Sequence, residues 1–259
     1  SFKEKYIKRQ FKNNPITNLE NTGWFFLRPN NHWELVIKYG KSCPKHLPGH
    51  AHSDTLSFDL FYDGKPIIVE TGTSFYGDSL IRSYERSGQA HNIMQLARGN
   101  SIKDYKKIKW EESVDVWGNF RAGKKANCYN THSKYSYEKK IFSFNSFHDG
   151  FHNIGANYGR SFEVLDYSKS SIKLKIVDYI ECKHNFLWRQ LWHLAPNQSK
   201  EYLTEIINQL KKLYQLNYFW KETWFSKGFG LREKRETLIM YGSLKKGDYQ
   251  IPVELLINN

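Results

Sequence analysis

The chain has 259 residues and a formal net charge of +13, from 39 Lys and Arg against 26 Asp and Glu. Its 17 Tyr, 17 Phe and 8 Trp are too many for a solvated coil, and no run approaches the roughly 18 consecutive apolar residues of a membrane-spanning helix. Composition therefore predicts a folded domain. Its positive charge either only keeps the chain soluble, which is the simpler interpretation, or indicates an anionic partner such as nucleic acid, an acidic polysaccharide or a lipid surface.

Residues 1–20 form a basic N-terminal segment ahead of the first strand pattern. Its first dozen residues, SFKEKYIKRQFK, place aromatic rings among lysines and arginines, which fits a short basic helix or a solvated tail. The segment lacks the apolar run of a signal peptide, and the chain begins with Ser. We expect a solvated tail here, and we interpret the chain as a piece of a longer protein.

Alternating apolar and polar residues dominate from about Trp24 to Asp178. In LSFDLFYDGKPIIVE, one strand face would carry apolar side chains, Asp63-Gly64 would form a tight turn, and residues 66–69 would begin the return strand. The residues predicted to share that face are Leu56, Phe58, Leu60 and Tyr62. The pattern predicts a β-hairpin.

Most later segments repeat the strand pattern, and one segment has a helical pattern instead. SSIKLKIVDYIE would bury Ile172, Leu174 and Ile176, and KYSYEKKIFSFN and KRETLIMYGSL alternate similarly. Residues 199–214 instead have helical spacing behind a Ser199 cap, with an apolar stripe of Leu203, Ile206, Ile207, Leu210 and Leu213. No linker or repeat divides the chain. We therefore expect a mainly β protein, a large antiparallel β-sandwich over residues 21–259 with one minor helix packed on a sheet.

Histidines provide the most specific chemical signal. GHAHSD places His50 and His52 two residues apart, so that in an extended strand both would project from one face. The hairpin would bring Glu70 back beside them, and His91 follows in QAHNIM. Two imidazoles and a carboxylate are typical zinc ligands. An HxH pair alone is weak evidence in a chain with ten His; the hairpin strengthens the case for Glu70, whereas no pattern supports His91. The dispersed Cys43, Cys128 and Cys182 provide neither a disulfide framework nor a CxxC metal site.

A long motif resembles the C-terminal β-sandwich domain of heparinase II/III-like polysaccharide lyases, a group that includes alginate lyases. The resemblance runs from GWFFLRPNNHWELVIKYG through GHAHSDTLSFDLFYDGKPIIVETGTSFYG to RSYERSGQAHN, and continues in IVDYIE, WHLAP and WFSKGFG. It covers nearly the whole chain from about residue 20.

The resemblance implies a zinc site and a place for the substrate. The family's metal ligands correspond to His52, Glu70 and His91, although the family generally has Asp where this chain has Glu70. The family's first histidine, here His50, faces the substrate cleft and neutralises or polarises a uronate carboxylate, so His50 is the candidate catalytic residue.

A segment that faces the cleft in the family corresponds here to the residues around Tyr84. Arg82, Tyr84 and Arg86 are accordingly candidate substrate-binding residues, because two arginines can bind a carboxylate or sulfate bidentately. The alternative is that both arginines are ordinary surface charges. The sequence does not decide between these readings.

The resemblance also implies β-elimination on an acidic, uronate-containing polysaccharide outside the cytoplasm or in the periplasm. The family's base comes mainly from an N-terminal α-helical toroid, of which residues 1–20 would be a remnant. The chain is therefore expected to be part of a lyase, or else a non-catalytic basic glycan-binding or accessory module. Nucleic acid is not the expected partner, because the strand pattern already explains basic and aromatic strings such as KDYKKIKW.

Overall fold

The computed structural model describes residues 15–44, 46–77, 79–117, 121–136 and 138–258. The predicted tail over the first dozen residues lies outside these ranges. Within them the strands are β1 (Ile16–Leu19), β2 (Trp24–Leu27), β3 (Trp33–Lys38), β4 (Phe58–Tyr62), β5 (Lys65–Ile68), β6 (Met94–Arg98), β7 (Val116–Trp117), β8 (Arg121–Ala122), β9 (Cys128–Ser136), β10 (Ile141–His148), β11 (Ala156–Tyr167), β12 (Ser171–Cys182), β13 (Phe186–His193), β14 (Leu216–Gly228), β15 (Leu231–Leu244) and β16 (Gly247–Asn258). The α-helices are α1 (Leu80–Arg86) and α2 (Glu201–Leu213).

Three antiparallel sheets share one hydrophobic core. The first sheet has the order β1-β2-β3-β4-β5, the second β16-β12-β11-β10-β9 and the third β14-β15-β13-β6; β7 and β8 form a separate ribbon. The core cluster joins Trp33 of the first sheet, Phe144 of the second and Trp188 of the third. The predicted mainly β antiparallel fold is confirmed. Because β1 pairs with β2, the first sheet begins inside the segment that the sequence assigned to residues 1–20.

The predicted hairpin is β4 and β5. Asp63 and Gly64 have φ angles of 47° and 74°, the left-handed geometry of a type I′ turn. Leu56, Phe58 and Leu60 are buried and Tyr62 is partly buried, as predicted. The hairpin carries Glu70, just beyond β5, back towards the residues that precede β4.

The helix near 199–214 is α2, and it packs mainly on β16. Leu203, Ile206, Ile207 and Leu210 are buried as predicted. The prediction for Leu213 is wrong: this residue is 59% exposed, because the helix ends there and the chain turns into β14. The N-cap residue of α2 is Lys200 and not the predicted Ser199. The Ser199 hydroxyl, one residue further out, accepts a hydrogen bond from the Glu201 N–H.

A fully buried ion pair joins the second sheet to the rest of the fold. Arg160 of β11 donates from Nε and Nη2 to the Asp178 carboxylate of β12, at 2.6 and 3.0 Å. Tyr158 and Gln190 also donate to that carboxylate. Every carboxylate oxygen is thereby hydrogen-bonded, which offsets the cost of removing the two charges from water.

Replacing Arg160 with Met is expected to lower the free energy of unfolding by about 3–5 kcal/mol, because Asp178 would remain buried without its counter-ion. Urea denaturation measures the loss. The control is Lys173→Met in the exposed Lys173–Glu254 pair, where the loss should stay below about 1 kcal/mol. Equal losses in the two variants would contradict the structural role of the buried pair.

Candidate functional site

The two histidines of GHAHSD lie in an irregular segment ahead of β4. Pro48–His50 is a single 3-10 turn, and β4 begins only at Phe58. The expected strand geometry, with both imidazoles on one face, is therefore wrong. His50 is exposed and its ring meets Tyr76 edge-on, with 5.8 Å between ring centroids. His52 turns inward, and its ring centroid lies 5.3 Å from that of His91.

His91 lies next to both His52 and Glu70. Glu70 Oε1 lies 3.0 Å from His91 Nδ1, but the two atoms are not aligned as a hydrogen bond. Both atoms and His91 Nε2 are buried without a hydrogen-bond partner in the part of the chain that the structure describes. Such unpartnered buried atoms are costly, and a bound cation would satisfy them.

Charges in this cluster favour an ion pair between Glu70 and His91, with a neutral His52 beside it. Burial opposes ionisation of Glu70, but the neighbouring His91 more than compensates and lowers the pKa of the carboxyl group. Burial likewise opposes a charge on His91, and Glu70 raises its pKa. Burial, His91 and Arg82 together hold the pKa of His52 well below its ordinary value.

The donor set fits zinc incompletely. Two imidazoles and a carboxylate are suitable ligands, and His91 and Glu70 present unpartnered atoms. The third candidate, His52, already has its Nε2 3.3 Å from Arg82 Nη1. Across residues 15–44, 46–77, 79–117, 121–136 and 138–258, no group of three or more His, Cys, Asp or Glu side chains is arranged to hold a metal ion.

The arginines of α1 are buried and hold the histidine-bearing loop. Arg82 donates from Nη2 to the Gly49 carbonyl at 3.0 Å, and its guanidinium lies 4.8 Å from the centre of the Tyr76 ring. Arg86 donates from Nε to the Ala51 carbonyl at 2.8 Å and from Nη2 to the Pro48 carbonyl at 2.9 Å. Both are 0% exposed, so the reading as ordinary surface charges is wrong. A substrate-binding role stays a prediction.

Tyr84, the third residue predicted from this segment, is partly buried. Its ring centroid lies 4.5 Å from that of Trp224 on β14. Burial raises the pKa of the Tyr84 hydroxyl, while the charge of nearby Arg235 opposes that rise. Contact of Tyr84 with a substrate also stays a prediction.

Two buried residues that the sequence did not single out complete the frame. Asn92 donates from Nδ2 to the Phe58 carbonyl and accepts the His193 N–H, which fixes the chain directly after His91. Arg235 of β15 donates to the Val69 carbonyl and to Thr71 on the other side of Glu70. The AHN motif contained a signal for Asn92, whereas Arg235 lies 165 positions from Glu70 and had none.

An exposed aromatic rim, formed by His50, Tyr76 and Phe229, borders this cluster. Tyr76 and Phe229 are 39% and 67% exposed, and their rings stack with centroids 5.8 Å apart. The Gly230 N–H donates to the Ser74 carbonyl, which ties the β14–β15 turn to the Tyr76 loop. The rim therefore exposes part of two aromatic rings, most of all Phe229, to solvent beside the exposed imidazole.

Comparisons with known proteins agree on the domain. The family model described as "Heparinase II/III-like, C-terminal" matches residues 12–253. No curated protein sequence matches the chain significantly.

Solved structures share the fold at low sequence identity. A heparan sulfate lyase HepC mutant from Pedobacter heparinus superimposes with a TM-score of 0.68 at 12% identity, over 95% of this chain and 37% of that one. The heparinase III-BT4657 gene product gives 0.61 at 15%, over 95% and 36%, and a structure of heparinase III gives 0.62 at 12%, over 95% and 37%. The chain thus spans little more than a third of these proteins.

Replacing Arg86 with Met is expected to loosen residues 48–52, because their carbonyls lose charged donors from α1. Hydrogen–deuterium exchange should show at least tenfold faster exchange of the amides in this loop. The matched control is Arg232→Met, an exposed arginine 5.8 Å from the Trp224 ring, which should leave exchange in the loop unchanged. Unchanged exchange in both variants would contradict the bracing role of Arg86.

Proposed function

The chain belongs to the heparinase II/III-like C-terminal domain family, and we propose that it supplies one half of the cleft of a lyase for acidic, uronate-containing polysaccharides. The observation that carries the proposal is the exposed His50 on the aromatic rim, which Arg82 connects to the His52–Glu70–His91 cluster through its contacts with Tyr76 and His52. The similar solved structures named as a heparan sulfate lyase and a heparinase support this substrate class. We place the protein's work in the periplasm or outside the cell, as the family resemblance implies.

The arrangement of charge suits an anionic substrate. Arg82 and Arg86 lie beneath the His50 loop and donate to its carbonyl groups, and the Glu85 carboxylate acts on the charge of Arg82. Arg235 adds a third buried positive charge nearby, and burial lowers its pKa to about 10, which leaves it charged at neutral pH. Fixed positive charge under a surface favours carboxylate or sulfate groups there.

In the proposed reaction, a base removes the C5 proton of a uronate unit and the C4–O bond to the neighbouring sugar breaks. The electron pair of the C5–H bond forms a C4–C5 double bond, and the leaving oxygen takes up a proton. Negative charge develops on the carboxylate as the proton leaves, so a hydrogen-bond donor placed there lowers the barrier. His50 is the donor we assign to this task, with Tyr76 and Phe229 providing the surface on which the sugar stacks.

The site residues also support zinc at His52, Glu70 and His91. The buried His91 Nε2, which has no hydrogen-bond partner among the described residues, is the structural reason. When bound, the ion would supply a fixed positive charge and would join the end of the hairpin to the segment before β6. Because Arg82 Nη1 already lies next to His52 Nε2, this nitrogen would have to give up its contact with Arg82 in order to bind the ion.

The second candidate function is a non-catalytic glycan-binding or accessory module. The Tyr76–Phe229 stack favours it, since exposed stacked rings are sufficient to bind a sugar without any reaction. The two functions share the same surface and differ only in whether the glycan is cleaved.

The test adds a heparan sulfate or alginate oligosaccharide to the protein at its full natural length, because the chain by itself supplies only one half of the proposed cleft. A lyase produces an unsaturated product, seen as growing ultraviolet absorbance of the new double bond, and His50→Ala should lower the rate at least about a hundredfold. His132→Ala, an exposed histidine on β9, is the matched control and should keep the rate. Binding without absorbance identifies a module. The absence of both binding and absorbance would contradict both functions.

Zinc is tested by metal analysis and thermal unfolding of the same chain. Zinc at a hundredfold excess over its dissociation constant should add about 2.7 kcal/mol to the free energy of unfolding, which raises Tm. His91→Ala and Glu70→Gln should abolish both the bound metal and the rise, whereas His132→Ala should keep them. A rise in Tm that survives His91→Ala would show that zinc binds elsewhere.

A further inference from the structure

A groove crosses the outer face of the second sheet, among residues that the candidate site does not use. Its volume is about 410 Å³, within the range of roughly 300–1,000 Å³ for small-ligand sites. Strand register aligns Tyr129, Phe147, Gly159 and Tyr179 in one row across β9, β10, β11 and β12. Gln250 extends the row onto β16.

The rings of this row form a continuous aromatic floor. Phe147 lies 6.0 Å from Tyr129 and 6.0 Å from Tyr179, measured between ring centroids, at interplanar angles of 29° and 39°. Gly159 makes room for this: a Cβ there would lie 2.4 Å from Phe147 Cδ1, so the phenylalanine ring covers the glycine. The missing side chain is what allows the neighbouring rings to lie low across the sheet.

Polar groups with hydrogen-bonding capacity border the rings at one end. Asn157 donates to Glu181 at 2.5 Å, and Asp248 lies opposite Glu181 in the register of β12 and β16. Gln250, opposite Tyr179, is exposed. Burial raises the pKa of the Tyr129 phenol, and the charges of Asp149 and Glu181 raise it further.

We propose that this groove binds a sugar unit that carries no acidic group. The faces of aromatic rings are partly negative and attract the C–H groups on the flat side of a pyranose. The amide groups of Asn157 and Gln250 donate to and accept from hydroxyl groups, and the Glu181 carboxylate accepts from them. Glu181 and Asp248 repel a uronate or a sulfate.

The charge at the groove distinguishes it from the His50 surface. The chain carries +13 overall, yet carboxylates border this groove, whereas buried arginines underlie His50. The proposal does not rest on the function proposed above, because none of the groove's lining residues belongs to the His50 site.

The test is a titration of the labelled chain with neutral tetrasaccharides, namely cellotetraose, mannotetraose and N-acetylchitotetraose, followed by amide resonances. At least one should shift the resonances of Tyr129, Tyr179 and Gln250. Tyr179→Ala should weaken that sugar at least tenfold, and Gln250→Ala, an exposed site that does not endanger the fold, at least threefold. Tyr135→Ala, 57% exposed on β9 and outside the groove, is the matched control and should change affinity less than twofold.

Several outcomes would overturn the proposal. One is that no neutral tetrasaccharide shifts these resonances at millimolar concentration; another is that a sulfated heparin tetrasaccharide binds here more tightly. A third is that the resonances respond to protein concentration alone, which would make the face a contact between two copies of the chain. Loss of binding on His50→Ala would place the sugar at the other surface instead.

Discussion

The buried Arg160–Asp178 pair is the interaction on which the placement of the site depends. Besides its carboxylate partner, Arg160 donates from Nη1 to the carbonyls of Leu56 and Asn92, at 3.1 and 2.7 Å. Leu56 lies just ahead of β4, in left-handed backbone with φ of 62°, and Asn92 directly follows His91. One guanidinium in the second sheet thus holds both chain segments that converge on the histidine cluster. A buried charge tolerates little displacement, because each lost hydrogen bond leaves a buried polar group without a partner, which costs free energy.

The same principle recurs wherever the site lacks regular structure. Irregular backbone has carbonyls that no strand or helix satisfies, and in a protein interior they need donors. Arg82 and Arg86 supply them for residues 48–51, and Arg235 supplies them beside Glu70. Arginine suits this task because its planar group offers five donors and stays charged when buried. The loop is therefore held in one conformation although it forms no strand, and the side chains that hold it carry positive charge.

Local pattern was enough for the hairpin and for α2. Each rests on contacts close in sequence: the Asp63-Gly64 turn determines the register, and an apolar stripe determines the buried face of a helix. The orientation of His50 could not be obtained this way, because a 3-10 turn replaces the strand that its spacing suggested. Nor could the burial of Arg82 and Arg86, since their acceptors lie more than 30 residues away. The family resemblance brought His91 into the site, where periodicity gave no reason to place it.

The net charge of the chain is a poor guide to what each surface binds. Several of its arginines are buried, where they act as structural donors, and solvent screening beyond about 8–10 Å limits how far exposed lysines act. Selectivity therefore depends on the charges within a few ångströms of a bound group. Around His50 those charges include the cations of Arg82 and Arg86, whereas along the second sheet they include the carboxylates of Glu181 and Asp248. A basic chain can thus offer an anion-selective surface and an anion-excluding one, because folding separates the two sets of charges.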